Sequence, residues 1–390
     1  VDPDDPGPAG PLSGLLVADF SRILAGPYAT MVLADLGADV VKVEGPAGDD
    51  TRTWMPPRRG DESTYYLGIN RNKRSIVLDL HDADDHALAR SLADRADVVV
   101  ENLRPGGMSR FGLGYDDVRA TNSAVVYASI SGFGTGAGAE LSGYDLMVQG
   151  ISGLMSLTGP ADGGGHRAGV AVFDVMAGMH TAIGILSALH HRDRTGAGQH
   201  VEVDLLTSAL SGLVNQASAV VAGGATPVSM GNAHPSLYPY EPLPTADGSI
   251  IVIVGNDRQF RVLCELLELP GLSHDPRFAA NEQRTANRAQ LEPLLVERLA
   301  TRTTTEWFRA FRAAGLAGGP VNTVAGGIAF AEELGLAPVV ETGEGDDAVP
   351  GIRNPIGLSA TPATYRRRPP HLDEHRAELE AWLREPRDSD

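Results

Sequence analysis

Asp174 lies in residues 169–178, GVAVFDVMAG, between an apolar run and the start of a long apolar helical pattern. A carboxylate at such a junction caps the helix, a common role for Asp, or it serves as a nucleophile. The two roles are compatible, because a helix N-terminus is expected to keep the carboxylate ionised. The small neighbours Gly169, Ala171 and Gly178 leave room for a substrate. A second set is cationic: Arg22, Lys42, the run NRNKR at 70–74, Arg104 and Arg110. Ordinary surface charge accounts for such residues equally well when each is taken alone.

The remaining reactive types have plainer readings. His180 falls inside the apolar helix and reads as a core histidine, whereas His190 and His191 end it, where a cation is favourable. Cys264, the single cysteine, falls on one face of an amphipathic helix and reads as a buried structural thiol. No spacing of His, Cys and carboxylates resembles a metal site.

The elements that would position these groups alternate along the chain. Residues 15–19 (LLVAD) read as a strand, 27–36 as a helix and 40–44 (VVKVE) as a second strand, a right-handed parallel crossover. Strand 75–79, helix 86–96, strand 97–101 and strand 124–130 continue the pattern. Strands this uniformly apolar are buried on both faces, so the expected fold is α/β, with a Rossmann-like large domain built on a parallel sheet. Ligands of such sheets bind at the carboxyl ends of strands, where the cationic residues are expected to cluster. Coenzyme A (CoA), with its pyrophosphate, ribose phosphate and adenine, suits a collar of Arg and Lys. Glu44 also invites a dinucleotide reading, but the first turn, SRILAGP at 21–27, lacks the glycine fingerprint. The run GTGAGA at 134–139 leads into no helix, so NAD is rejected.

A long, nearly uncharged helix is expected over 175–191, then a loop at 194–198 and a further element from 201. A smaller α+β domain follows, with a strand at 249–254, a helix at 258–267, a charged helix at 281–299 and a helix from 305 closed by Gly315. The expected division is 1–224, with a C-terminal return of 326–390 that includes a helix at 373–384, against 225–325. A length of 390 residues is enough for two cores. A net charge of −18 argues against nucleic acid or an anionic membrane as partner. No apolar run is expected to reach the length of a membrane span, and residues 1–10 are acidic and proline-rich rather than signal-like. A cytoplasmic protein is the expectation.

Over nearly its whole length the sequence resembles the class III CoA-transferases, a family that includes formyl-CoA transferase, carnitine CoA-transferase and alpha-methylacyl-CoA racemase. The resemblance rests on DFSRILAGPYA at 19–29, LGADVVKVE at 36–44, NKRSI at 72–76, VENLRPG at 100–106, GYDL at 143–146, the Asp174 stretch, and RTGAGQ at 194–199. It implies Asp174 as covalent nucleophile. For CoA it implies Leu24, Ala25, Lys73, Arg74, Asn102, Leu103, Arg104 and Arg110, with Gly143, Tyr144 and Asp145 lining the same pocket and Arg22 joining them from the cationic collar. GNAHP at 231–235 stands where the family carries a mobile glycine loop, a departure that bears on gating. The implied fold adds a second, smaller domain and an interlocked, ring-like homodimer. The implied reaction moves CoA from an acyl-CoA to a free carboxylic acid through an aspartyl-CoA thioester, with acyl-CoA as substrate and no permanently bound cofactor, ATP or metal. Racemisation needs two bases, and the racemases carry histidine where this chain has Tyr144, a phenol and a poor base near neutral pH. A non-catalytic acyl-CoA-binding protein would need no acid at 174.

Overall fold

Alternate residues of the four inner strands enter two different cores, which is why those strand sequences are largely apolar. In the computed structural model, which describes residues 10–386, β1 (Leu16–Asp19), α1 (Ala25–Asp35) and β2 (Asp39–Glu44) form the first crossover. The acidic, proline-rich residues 1–9 lie outside the described residues. Next come β3 (Lys73–Val77), α2 (Ala83–Arg95), β4 (Val98–Glu101) and β5 (Val126–Ser131). After α3 (Asp145–Ile151) and α4 (Val172–Thr195), β6 (His200–Asp204) completes the sheet and α5 (Leu205–Gly212) follows it. All six strands are parallel, in the order β3-β2-β1-β4-β5-β6.

Ala18, Val41, Ile76, Val99 and Tyr127 pack one face under Leu88 and Leu92 of α2. Val17, Val40, Val98, Val126 and Ala128 pack the other, under Leu33 of α1 and Ile185 and Leu189 of α4. By length and composition alone α4 could cross a bilayer, contrary to the expectation that no apolar run is that long. Here one of its faces is core, because the same aliphatic residues cover the sheet.

Among the described residues, one unit runs to Leu154, continues over Arg167–Ala225 and resumes at Ala337; the other holds Met155–His166 and Thr226–Leu336. The return therefore begins at Ala337 rather than residue 326, and the helix Val324–Glu333 belongs to the smaller unit. That unit has an antiparallel sheet of β7 (Tyr240–Pro244), β8 (Ser249–Ile253) and β9 (Ala317–Pro320), with β8 central. Its helices include α6 (Asp257–Leu266), α7 (Arg288–Leu299) and α8 (Thr304–Ala313). The charged helix expected over 281–299 is broken at Asn287, whose backbone leaves helical geometry. Cys264 of α6 is buried in this core, and burial pushes its thiol up to about 12, so it is inert.

The return is stitched to the large unit by buried polar bonds at 70–74. Asp35 accepts two bonds from Arg71, at 2.9 and 2.7 Å, and one from Asn72 at 2.8 Å. Arg71 also donates to the Ile352 carbonyl, and Asn72 accepts the backbone N–H groups of Arg366 and Arg367. α9 (Arg376–Arg384) then packs Leu379 and Leu383 against the first core. Truncating Arg71 strands a fully buried carboxylate. Arg71→Ala should therefore destabilise the large unit by about 3–5 kcal/mol in chemical denaturation, the range for breaking a buried ion pair on one side. A loss below about 1 kcal/mol would mean that the return is held by packing alone.

Candidate active site

The order of the six strands reverses direction between β1 and β4, so the loops that leave their carboxyl ends diverge and open a crevice. Arg22–Ala25 follow β1 and Asn102–Pro105 follow β4, and both line a cavity of about 340 Å³. Ile130–Gly134 at the end of β5, Gly138, Ala139, Leu141–Tyr144, Asp174 and Leu205 complete the wall.

The two diverging loops are tied by a reciprocal pair. The Arg22 N–H donates to Asn102 Oδ1 at 2.8 Å, and Asn102 Nδ2 donates to the Arg22 carbonyl at 2.7 Å. Beneath them a chain of buried charges fixes the first turn. Asp19 accepts from Ser21, from Thr30 at 2.6 Å and from Lys73 at 3.1 Å. Lys42 bonds the Ser21 carbonyl at 3.0 Å and Asp49 at 2.8 Å. Asp49 in turn accepts the Ile23 N–H at 3.2 Å. Ile23 has φ 69°, a conformation that a β-branched residue adopts only under strain. Burial would push the Asp19 carboxyl up, but Lys73 and Lys42 outweigh it and hold the group below the usual range. Asp49, likewise buried, is lowered by Lys42 to about 2.

Asp174 is treated in the opposite way. It is the third residue of α4, while the residue before the helix, Ala171, offers no side-chain cap. Gly178 lies one turn on and faces the same side. A Cβ there would sit 2.6 Å from the Ala25 carbonyl oxygen, so the close approach of α4 and α1 needs glycine. That contact brings Asp174 against the first-turn loop. Asp145 performs the capping instead, accepting the N–H of Phe173 at 2.8 Å and that of Asp174 at 3.2 Å. Burial, and secondarily the Asp145 charge, push the Asp174 carboxyl up to about 7. The expectation that the helix start would hold it firmly ionised is thus corrected: the amides that would do so are engaged by another carboxylate.

Arg22, Leu24, Ala25, Asn102, Leu103, Arg104, Gly143 and Tyr144 line the cavity with Asp174. Four other residues implied for CoA do not. Lys73 is fully buried, donating to Asp19, Asn70 and the Pro27 carbonyl. Arg74 pairs with Asp39 and Glu378. Both sit at the amino end of β3, because the run 70–74 enters that strand rather than leaving it. Arg110 is exposed on the turn Ser109–Phe111, away from this wall, and Asp145 is buried against the start of α4. His180 Nδ1 lies 3.0 Å from Ser208 Oγ on α5.

The sequence reading passed over Tyr65. It is half-buried, and its hydroxyl is pushed up to about 12 by burial and then by the charges of Asp174, Asp145 and Asp49. The helix that carries it, Thr64–Leu67, spans four residues, too short to leave a periodic signal. A further cavity of about 370 Å³ lies over the carboxyl ends of β2 and β3. It is lined by Lys42–Asp50 and Leu78–His81 and shares Arg22 and Leu103 with the first.

Comparison with known proteins agrees with this geometry. Residues 12–376 match the model of CoA-transferase family III. The chain is 42% identical to the succinate–glutarate CoA-transferase of Agrobacterium fabrum, over 97% of each chain. It is 39% identical to the succinyl-CoA:glutarate CoA-transferase of Homo sapiens, over 94% of this chain and 84% of that protein. The crystal structure of a CAIB/BAIF family protein from Brucella suis superimposes with a TM-score of 0.87 at 42% identity, covering 96% of this chain and 100% of that one. The chain belongs to CoA-transferase family III.

Proposed function

We propose that this enzyme transfers CoA between dicarboxylic acids through covalent intermediates on Asp174. The observation that carries the reading is the Asp174 carboxylate itself, half-buried in the cavity wall and without a cationic partner among the described residues. A carboxylate whose pKa is raised is a stronger nucleophile once ionised. It attacks the carbonyl of the donor acyl-CoA and expels the CoA thiolate, leaving a mixed anhydride. The thiolate attacks the aspartyl carbonyl of the anhydride, which releases the donor acid and forms an aspartyl-CoA thioester. The acceptor carboxylate attacks that thioester and frees the thiolate. The thiolate then takes the acyl group and restores Asp174. The thioester energy is kept throughout.

The relatives named for succinate and glutarate act on dicarboxylates. Arg22 and Arg104 give the same cavity cations for a second carboxylate or for the phosphates of CoA. The cavity over β2 and β3 adjoins the first and has room for the nucleotide end of CoA. We also infer a homodimer of the interlocked type. Met179, Ile183 and Leu186 of α4, with Leu210, Val214, Val220 and Val221, form exposed apolar surface that a second copy would cover.

Asp174→Asn should abolish transfer while CoA still binds, checked by turnover and calorimetry; near wild-type turnover would end this mechanism. Succinyl-CoA alone should leave an adduct on the peptide containing Asp174 by mass spectrometry. A chiral 2-methylacyl-CoA in deuterated water should show no exchange at the alpha carbon, whereas rapid exchange without an adduct would mean proton abstraction.

The pH dependence carries a sign. Asp174 must be ionised to attack, so kcat/KM should fall as pH drops below about 7. The folded pKa lies above the unfolded value, so the folded state binds the extra proton and loses that stabilisation as pH rises toward 7. Asp174→Asn should therefore raise Tm at pH 8 more than at pH 5. An equal shift at both would show that the carboxyl is not perturbed.

A further inference from the structure

The start of α4 brings two carboxylates together, Asp174 in the cavity wall and Asp145 buried behind it. Asp145 is 8% exposed and has no Arg, Lys or His partner among the described residues. Its Oδ1 accepts both amides at the start of α4, and its Oδ2 accepts Gln149 Nε2 at 2.6 Å. Gln149 is itself 1% exposed. Its Oε1 accepts the Ala168 N–H at 2.8 Å, and its Nε2 also donates to the Val170 carbonyl at 3.2 Å. The segment leading into the helix is therefore clamped on both sides by one glutamine. The same glutamine fixes the face that Asp145 turns toward Asp174.

We propose that Asp145 is a positioning residue that caps the nucleophile helix and, by like-charge repulsion, drives Asp174 toward its neutral covalent forms. The inference rests on the covalent mechanism above. A carboxylate beside another carboxylate favours any state in which one of them is uncharged. Protonation is one such state and is unproductive. The mixed anhydride and the aspartyl-CoA thioester are two more, and both lie on the reaction path. Repulsion raises the energy of the free, ionised enzyme without touching either adduct, so it favours adduct formation from the ground state.

The other groups near Asp174 do not supply this effect. Tyr65 is a neutral phenol, its hydroxyl pushed up by burial and by these same acids. Across the cavity, Arg22 is ion-paired with Asp50, and Arg104 is exposed. Of the elements packed on α4, α1 brings Tyr28 beside Gly178, one turn away, and α5 has no titratable side chain. Tyr127 of β5, with His200, Glu202 and Asp204 of β6, lines a neighbouring cavity of about 380 Å³. Among the described residues that leaves Asp145 as the one charge set against the reacting carboxyl, in agreement with the direction in which Asp174 is moved.

Asp145→Asn removes the charge while keeping an acceptor for the two amides. Incubation with succinyl-CoA at several succinate concentrations gives the adduct equilibrium constant from intact-protein mass spectra, and the pH profile of kcat/KM gives the acid limb. In the variant the limb should move to lower pH, and the adduct constant measured at pH 8 should fall about tenfold for each pH unit moved, since one charge governs both. A folded variant with an unchanged limb and adduct constant would overturn the proposal. Should the variant fail to melt cooperatively, Gln149→Leu decides, because it keeps the charge and frees its carrier. Adduct formation should then slow several-fold with the acid limb in place, and a wild-type rate would overturn the clamp. Absence of an adduct in the wild-type enzyme is a different result, and it would remove the covalent mechanism rather than the role of Asp145.

Discussion

A carboxylate with no access to water must be neutralised where it stands, and Asp19 at the end of β1 imposes that demand on the large unit. It is fully buried, and so are Lys73 of β3, which pairs with it, and Lys42 of β2, which pairs with Asp49 and acts on Asp19 by charge alone. Three parallel strands are thereby held in register by charge as well as by backbone bonds. Burying an isolated ion is prohibitive, and a buried pair is tolerated only when its remaining hydrogen bonds are satisfied. Ser21 and Thr30 fill those places on Asp19, and Asp49 does so on Lys42. Because Ser21 and Asp49 also hold the loop after β1, the network sets the path of Arg22–Ala25, including the strained Ile23. The cavity inherits its floor from that path.

The network also explains why so few of the cations are available to a ligand. Of Arg22, Lys42, Arg71, Lys73, Arg74, Arg104 and Arg110, four serve internal carboxylates while buried. What separates the run at 70–74 from Arg22 and Arg104 is whether a residue enters a strand or leaves one. Residues 70–74 come before the residues of β3 that approach the crevice, so their side chains turn into the body of the unit. Arg22 and Arg104 follow the ends of β1 and β4 and open onto the cavity.

The strand sequences made the parallel sheet legible, because a doubly covered strand has no polar face to confuse its pattern, and the crossover over residues 15–44 fell in place. Asp174 was legible from its position between an apolar run and an apolar helix, but its protonation behaviour was not. That depends on Asp145, 29 positions earlier, whose hydrogen bonds no spacing rule connects to α4. Tyr65 was missed for a similar reason: it sits on a four-residue helix within a stretch that has no period to read. Lys73 and Arg74 were assigned by type, since a motif shows which residues occur together and not whether they face a ligand or one another. β6 was read only as a further element, because sheet order is a property of the crossover that brings the strand back.

Two aspartates a few ångströms from one first-turn loop therefore carry opposite fates. Asp49 is drawn to about 2 by the Lys42 ammonium, so it is a permanent anion and a scaffold. Asp174, half-buried without a cation and beside a second acid, is pushed up to about 7. Pairing Asp174 with a lysine would make the fold more stable and the carboxylate less reactive, because the cation would favour the ionised state that must be left behind in forming a thioester. The large unit pairs Asp19, Asp35 and Asp49 with cations and leaves Asp174 and the adjoining Asp145 without one among the described residues. That asymmetry, rather than any special residue type, is what would let an ordinary aspartate serve as the nucleophile proposed above.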